Sequence, residues 1–155
     1  MYRWIGMIAC MLVLSGCGTE GSTGSGIVIN EVAPAGKPFD WFELYNKGEK
    51  EVDLSKWSFT DDLTKKKNKA NFPEKTVIKP GEYKIFYLGN DWPGFGLGKK
   101  GEELGLMDPE GKTVDSVKWP KGAAPETKSF GRFPDLTGEF KTLQTQSPGK
   151  ANTDK

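Results

Sequence analysis

Turn-forming residues interrupt this chain so often that no apolar period of 3.6 residues persists, and short strands are what remain. The apolar runs are Ile27 to Ala33, Trp41 to Asn46, Val52 to Thr60, Thr76 to Ile78 and Tyr83 to Leu88. Glu102 to Met107, Thr113 to Trp119, Ser129 to Phe133 and Phe140 to Leu143 follow. Between them stand Asn46-Lys47-Gly48, Lys79-Pro80-Gly81-Glu82, Asn90 to Gly96 and Asp108-Pro109-Glu110-Gly111. In Pro80-Gly81, proline presets the second position of a type II turn and glycine takes the left-handed third. Side chains alternate along a strand, so Phe42 and Leu44 share one face while Trp41, Glu43 and Tyr45 share the other. Trp57 and Phe59 likewise share a face. Tyr83 to Leu88 is apolar on both faces, which predicts a largely covered strand. The pattern is that of an all-β sandwich or barrel.

The N-terminus is of a different kind. Tyr2 and Arg3 precede an apolar run from Ile5 to Leu14 that ends in small residues. A membrane-spanning helix needs roughly 20 apolar residues, so this run is too short. Its size and order fit a secretory signal, which places residues 1–16 outside the fold. Leu14-Ser15-Gly16-Cys17 resembles the lipobox of bacterial lipoproteins. That resemblance implies cleavage before Cys17 and a diacylglycerol thioether on its sulfur. Burial of acyl chains contributes roughly 0.8 kcal/mol per CH₂, so several chains anchor durably where one does not. Residues 17–26 are then the lipidated cysteine and a flexible tether rich in glycine, serine and threonine.

Without residues 1–16 the 155-residue chain keeps 139, enough for one domain with a real core. Cys10 leaves with the signal and Cys17 becomes a thioether, so the domain carries no thiol chemistry and no disulfide. It has no histidine, which removes the commonest acid–base group near neutrality. Its 21 basic and 21 acidic residues balance, which argues against capture of nucleic acid through many phosphate contacts. All but one of those basic residues are lysines; the exception, Arg132, is the residue expected to have a specific partner. No cofactor is expected.

Taken in order, the residues resemble the lamin tail domain family, which also occurs in bacterial surface and secreted proteins. The matching pieces are Ile29-Asn30-Glu31, Trp41-Phe42-Glu43-Leu44-Tyr45-Asn46 and Asp53-Leu54-Ser55-Lys56-Trp57-Ser58-Phe59. Phe72, the turn from Ile78 to Tyr83 and the hairpin from Leu104 to Asp115 continue the match. Ser129-Phe130-Gly131-Arg132-Phe133-Pro134-Asp135 and Ser147-Pro148-Gly149-Lys150-Ala151-Asn152 complete it. Phe130 stands where the bacterial pattern commonly has tyrosine. The resemblance implies an immunoglobulin-like β-sandwich over residues 27–152, followed by a short tail at 153–155. The coiled-coil rod of true lamins is missing, so filament assembly does not carry over.

Glu31 and Glu43 are a pair of carboxylates of the sort a glycosidase holds across a cleft. Their structural alternative is hydrogen bonding to loop backbone or pairing with Arg132, because buried charge needs a partner. Asp61 and Asp62, joined by Asp40 or Asp91 if loops converge, offer oxygen ligands for calcium. Their spacing is not that of an EF-hand and acidic residues in turns commonly cap or solvate them, so no metal is expected. Lys65-Lys66-Lys67 with Lys69 is a positive run that suits anionic headgroups, or simply a solvated loop. Trp92 and Phe95, with Trp41 and Trp119, are candidates for an aromatic platform that stacks on sugars or on a protein, although aromatic residues of a sandwich more often belong to its core. Trp92 is the one expected to be exposed, since Asn-Asp-Trp-Pro-Gly is a loop signature.

The expected function is therefore a lipid-anchored, non-enzymatic module of the cell envelope that binds a protein or polymer or supports the envelope. A carbohydrate-binding module is the alternative, with a carboxylate-dependent hydrolase behind it. The partners expected are the membrane, through Cys17, and an envelope protein or polysaccharide. Neither residue 18 nor 19 is aspartate, so by resemblance to Gram-negative lipoproteins the expected site is the outer membrane. In a single-membrane bacterium it is the outer face of the cell membrane.

Overall fold

A computed structural model describes residues 24–154. The signal, Cys17 and most of the tether lie outside the described residues. Eleven strands and no helix occur among those described. They are β1 (Ile27–Ala33), β2 (Asp40–Asn46), β3 (Val52–Asp53), β4 (Ser58–Thr60), β5 (Lys69–Asn71) and β6 (Val77–Ile78). Then come β7 (Tyr83–Leu88), β8 (Gly101–Met107), β9 (Thr113–Pro120), β10 (Ser129–Phe133) and β11 (Glu139–Leu143).

Five strands form one antiparallel sheet in the order β11-β10-β1-β2-β7, and four form a second in the order β5-β4-β8-β9. β3 and β6 pair as a short ribbon. The sheets pack face to face as an immunoglobulin-like sandwich. Phe42 of the first sheet meets Phe59 of the second at 4.9 Å between ring centroids. Phe72 and Phe86 extend this aromatic centre, and Ile29, Leu44, Leu104 and Leu106 surround it.

The turn chemistry behaves as the residues dictate. Glu82 N–H donates to Lys79 C=O at 3.1 Å, and Gly81 has φ of 76°, closing a type II turn. Gly111 N–H donates to Asp108 C=O at 2.9 Å in the β8–β9 hairpin.

Two expectations change. Val52 to Thr60 is not one strand, because Asp53 Oδ1 accepts Ser55 N–H and Trp57 N–H donates to Leu54 C=O. That turn sends β3 and β4 into different sheets. Tyr83 to Leu88 is an edge strand rather than a covered one, and Tyr87 is 49% exposed on its outer face.

Candidate functional site

Glu31 and Glu43 are opposite one another across β1 and β2, on the face that looks away from the aromatic core. They are nevertheless 0% exposed. Their cover is the segment after β11, which folds back over the outer face of the first sheet. Ser147 N–H donates to Glu31 Oε1 at 3.0 Å, and Ser147 Oγ lies 2.9 Å from Oε2. Ser129 Oγ donates to Glu31 from β10. Glu43 accepts from Asn30 Nδ2 at 3.1 Å and from Gly149 N–H at 2.6 Å.

Local sequence explains the cover. Lys150 N–H donates to Ser147 C=O at 3.0 Å around Pro148 and Gly149, and Gly149 has φ of 75°, a conformation glycine adopts without steric cost. This second proline–glycine turn aims the Gly149 amide at Glu43. Beside it, Asn152 Nδ2 donates to the carbonyls of Asn30 and Arg132. A β-carbon on Gly131 would sit 2.8 Å from Asn152 Nδ2 and 2.7 Å from Leu143, so only glycine lets the segment lie this close.

Burial pushes the Glu43 carboxyl up to about 7, against the lowering effect of its donors Asn30 and Gly149. Burial raises Glu31 too, again against its hydrogen bonds from the two serines. Proton counting agrees for Glu31. Ser147 Oγ has one hydrogen but two neighbours at 2.9 Å, Glu31 Oε2 and Asn152 Oδ1. A proton on Glu31 Oε2 satisfies all three atoms. Tyr83, which donates to Asp135 Oδ2 at 2.6 Å, is held above the ordinary tyrosine range, first by burial and then by that bond.

Arg132 contacts neither glutamate. It pairs with Asp115 of β9 at 3.1 Å, donates through Nε to Ile29 C=O at 2.9 Å, and lies 4.5 Å over the Phe140 ring. The two glutamates are tied into loop backbone and hydroxyl groups instead.

The acidic loops do not converge on a cation. Asp62 Oδ1 accepts from Thr64 and Lys65 amides, Asp61 Oδ2 from Asn68, and Asp40 Oδ2 from Leu97 N–H. Among the described residues no group of three or more His, Cys, Asp or Glu is placed to hold a metal ion. Lys65, Lys66, Lys67 and Lys69 are exposed.

A family model for the lamin tail domain matches residues 20–121, well over half of the chain. The chain belongs to the lamin tail domain family. Such domains are immunoglobulin-like modules of binding or structure rather than catalysis. No curated protein matches the chain at a significant level. In this lamin tail domain the match ends before β10, whereas Ser129, Ser147 and Gly149, which join Asn30 as donors to the buried glutamates, lie beyond it.

The expected exposure of Trp92 needs correction. Trp41 and Trp119 are buried, and Trp119 donates to Gly98 C=O. Trp92 is half-buried, with its ring 5.5 Å from Phe59 and its indole N–H given to Asn71 C=O. Phe95 is also packed against Phe59, at 5.7 Å. Both cap the core, because a loop that crosses the open end of a sandwich buries whatever apolar side chains it carries. Among the described residues the most exposed rings are Phe39 (51%) and Tyr87 (49%), followed by Phe133 (37%). Together with Asn90, Asp91 and the flank of Trp92, Phe39 and Tyr87 line one shallow cleft. Phe39 follows Gly-Lys-Pro, a loop signal as clear as the one before Trp92. Nothing local marked Tyr87, whose exposure follows from β7 being an edge.

Proposed function

We propose that this lamin tail domain is a lipid-anchored, non-enzymatic module of the bacterial cell envelope that binds an envelope protein or polymer. The observation that carries the binding half is a division of side chains. The groups suited to chemistry, Glu31 and Glu43, are wholly buried and engaged by the fold, while the free surface offers aromatic rings. A carboxylate without solvent access has no route to a substrate, which leaves the hydrolase reading without support. The anchoring half rests on Leu14-Ser15-Gly16-Cys17, and Gly18 and Thr19 in place of aspartate favour the outer membrane in a two-membrane cell. Residues between Cys17 and β1 are few, so the domain works close to the bilayer.

Labelling cells with a palmitate analogue, followed by intact-mass analysis, tests the anchor. The expected result is acylated protein beginning at Cys17 and loss of label and membrane association in Cys17→Ala. Unmodified Cys17 in membrane-bound wild-type protein would refute it.

A further inference from the structure

We infer that the cleft between Phe39 and Tyr87 is a binding site for a neutral, β-linked pyranose chain. This rests on the reading of the domain as a binding module and is independent of its anchor.

Four features carry it. Phe39 and Tyr87 hold about half their surface open to solvent, although aromatic side chains gain from burial. Phe39 does not simply hang free: a β-carbon on Gly89 would meet its ring at 3.7 Å, so the ring rests against that backbone. The cleft between Phe39 and Tyr87 continues past Phe39 into a second one, lined by Pro38, Phe95, Gly96 and Lys99, and the two share Phe39, Gly89 and Asn90. The combined surface is long and shallow, suited to successive rings of a chain rather than to one enclosed small molecule.

The polar groups choose the chemistry. A gluco-configured pyranose lies flat on an aromatic face with its axial C–H bonds pointing into the ring, while its equatorial hydroxyls reach outward. Asn90 and Asp91 stand at the rim, an amide that donates and accepts and a carboxylate that accepts. A purely apolar partner would leave these groups desolvated and unpaired, which is costly. The Asp91 carboxylate beside the stacking rings also repels an acidic sugar, and Lys99 at the far end shares its cleft lining with the carboxylate of Asp40. The ligand is accordingly uncharged.

The test is calorimetric titration of the full chain, in a sugar-free detergent, with cellotetraose, a β-linked N-acetylglucosamine tetramer and a β-linked glucuronate tetramer. One of the two neutral tetramers should bind, with the glucuronate about tenfold or more weaker. Phe39→Ala and Tyr87→Ala should each weaken binding about tenfold or more while leaving the urea midpoint unchanged. Failure of both neutral tetramers to bind overturns the inference. So does binding that survives both substitutions, or equal binding of the acidic tetramer. If no sugar bound but Phe39→Ala abolished capture of an envelope protein, the glycan assignment would fall and the binding module would stand.

Discussion

Asp115 and Arg132 belong to opposite sheets, yet together they satisfy one residue of β1. The register of β1 against β2 slips between Ile29 and Glu31, leaving Asn30 as an extra residue in a β-bulge. Asp115 Oδ2 accepts the Ile29 N–H at 2.8 Å, and Arg132 Nε donates to the Ile29 C=O at 2.9 Å. The two side chains then close on each other at 3.1 Å. The bulge rotates Asn30 so that its amide reaches both Glu43 and Asp135. One ion pair thereby links the sheet-to-sheet contact to the polar layer beneath the closing segment.

Arg132→Lys should therefore not be conservative. Lysine keeps the charge but cannot hold Asp115 and the Ile29 carbonyl at once. Breaking a mostly buried pair costs about 3–5 kcal/mol at full burial, and with the pair partly solvated a loss of about 2 kcal/mol is expected. Urea unfolding followed by tryptophan fluorescence measures it; a midpoint equal to wild type would contradict the role given to Arg132.

Stability should fall as pH rises through neutrality. The folded-state carboxyl of Glu43 titrates at about 7 against 4.5 unfolded, so the native state binds more protons between those values. The contribution is fully present below 4.5 and is lost as pH passes through about 7. Glu31 shifts in the same direction. Unfolding midpoints at pH 5 and pH 8 should differ, the higher being at pH 5, and Glu43→Gln should reduce that difference.

Deleting residues 145–155 should prevent stable folding. It removes the Ser147 and Gly149 donors and exposes the layer over two buried carboxylates. Each native hydrogen bond contributes about 0.5–1.5 kcal/mol, and about 1.5–3 kcal/mol where a charged group takes part, so the several lost together approach the whole stability of a domain. Loss of near-ultraviolet circular dichroism in the truncated chain is the expected observation.

Trp92→Ala and Phe39→Ala should separate cleanly. Trp92 packs against Phe59, Phe72 and Phe86, so its loss should cost about 2–4 kcal/mol, toward the lower end because it is half-buried. Phe39 is half open to water and its loss should change stability by about 0.5 kcal/mol or less. Chemical unfolding of both variants decides whether the core ends at Trp92.

The local code of this chain determined its strands and turns. Alternation separated Phe42 and Leu44 from Glu43, and Pro80-Gly81 specified a reversal, because both depend on backbone geometry over a few residues. The same code stated that Arg132 would have a partner, and that Glu31 and Glu43 needed one. Which partners they took was decided only in three dimensions. Asp115 meets Arg132 because the second sheet lays β9 against β1, and Gly149 reaches Glu43 across more than a hundred residues of chain. Exposure was decided there as well. Trp92 and Phe39 stand in similar loops, but one crosses the open end of the sandwich and the other lies outside it. Burial depends on what the rest of the chain places alongside a residue, and no local signal contains that.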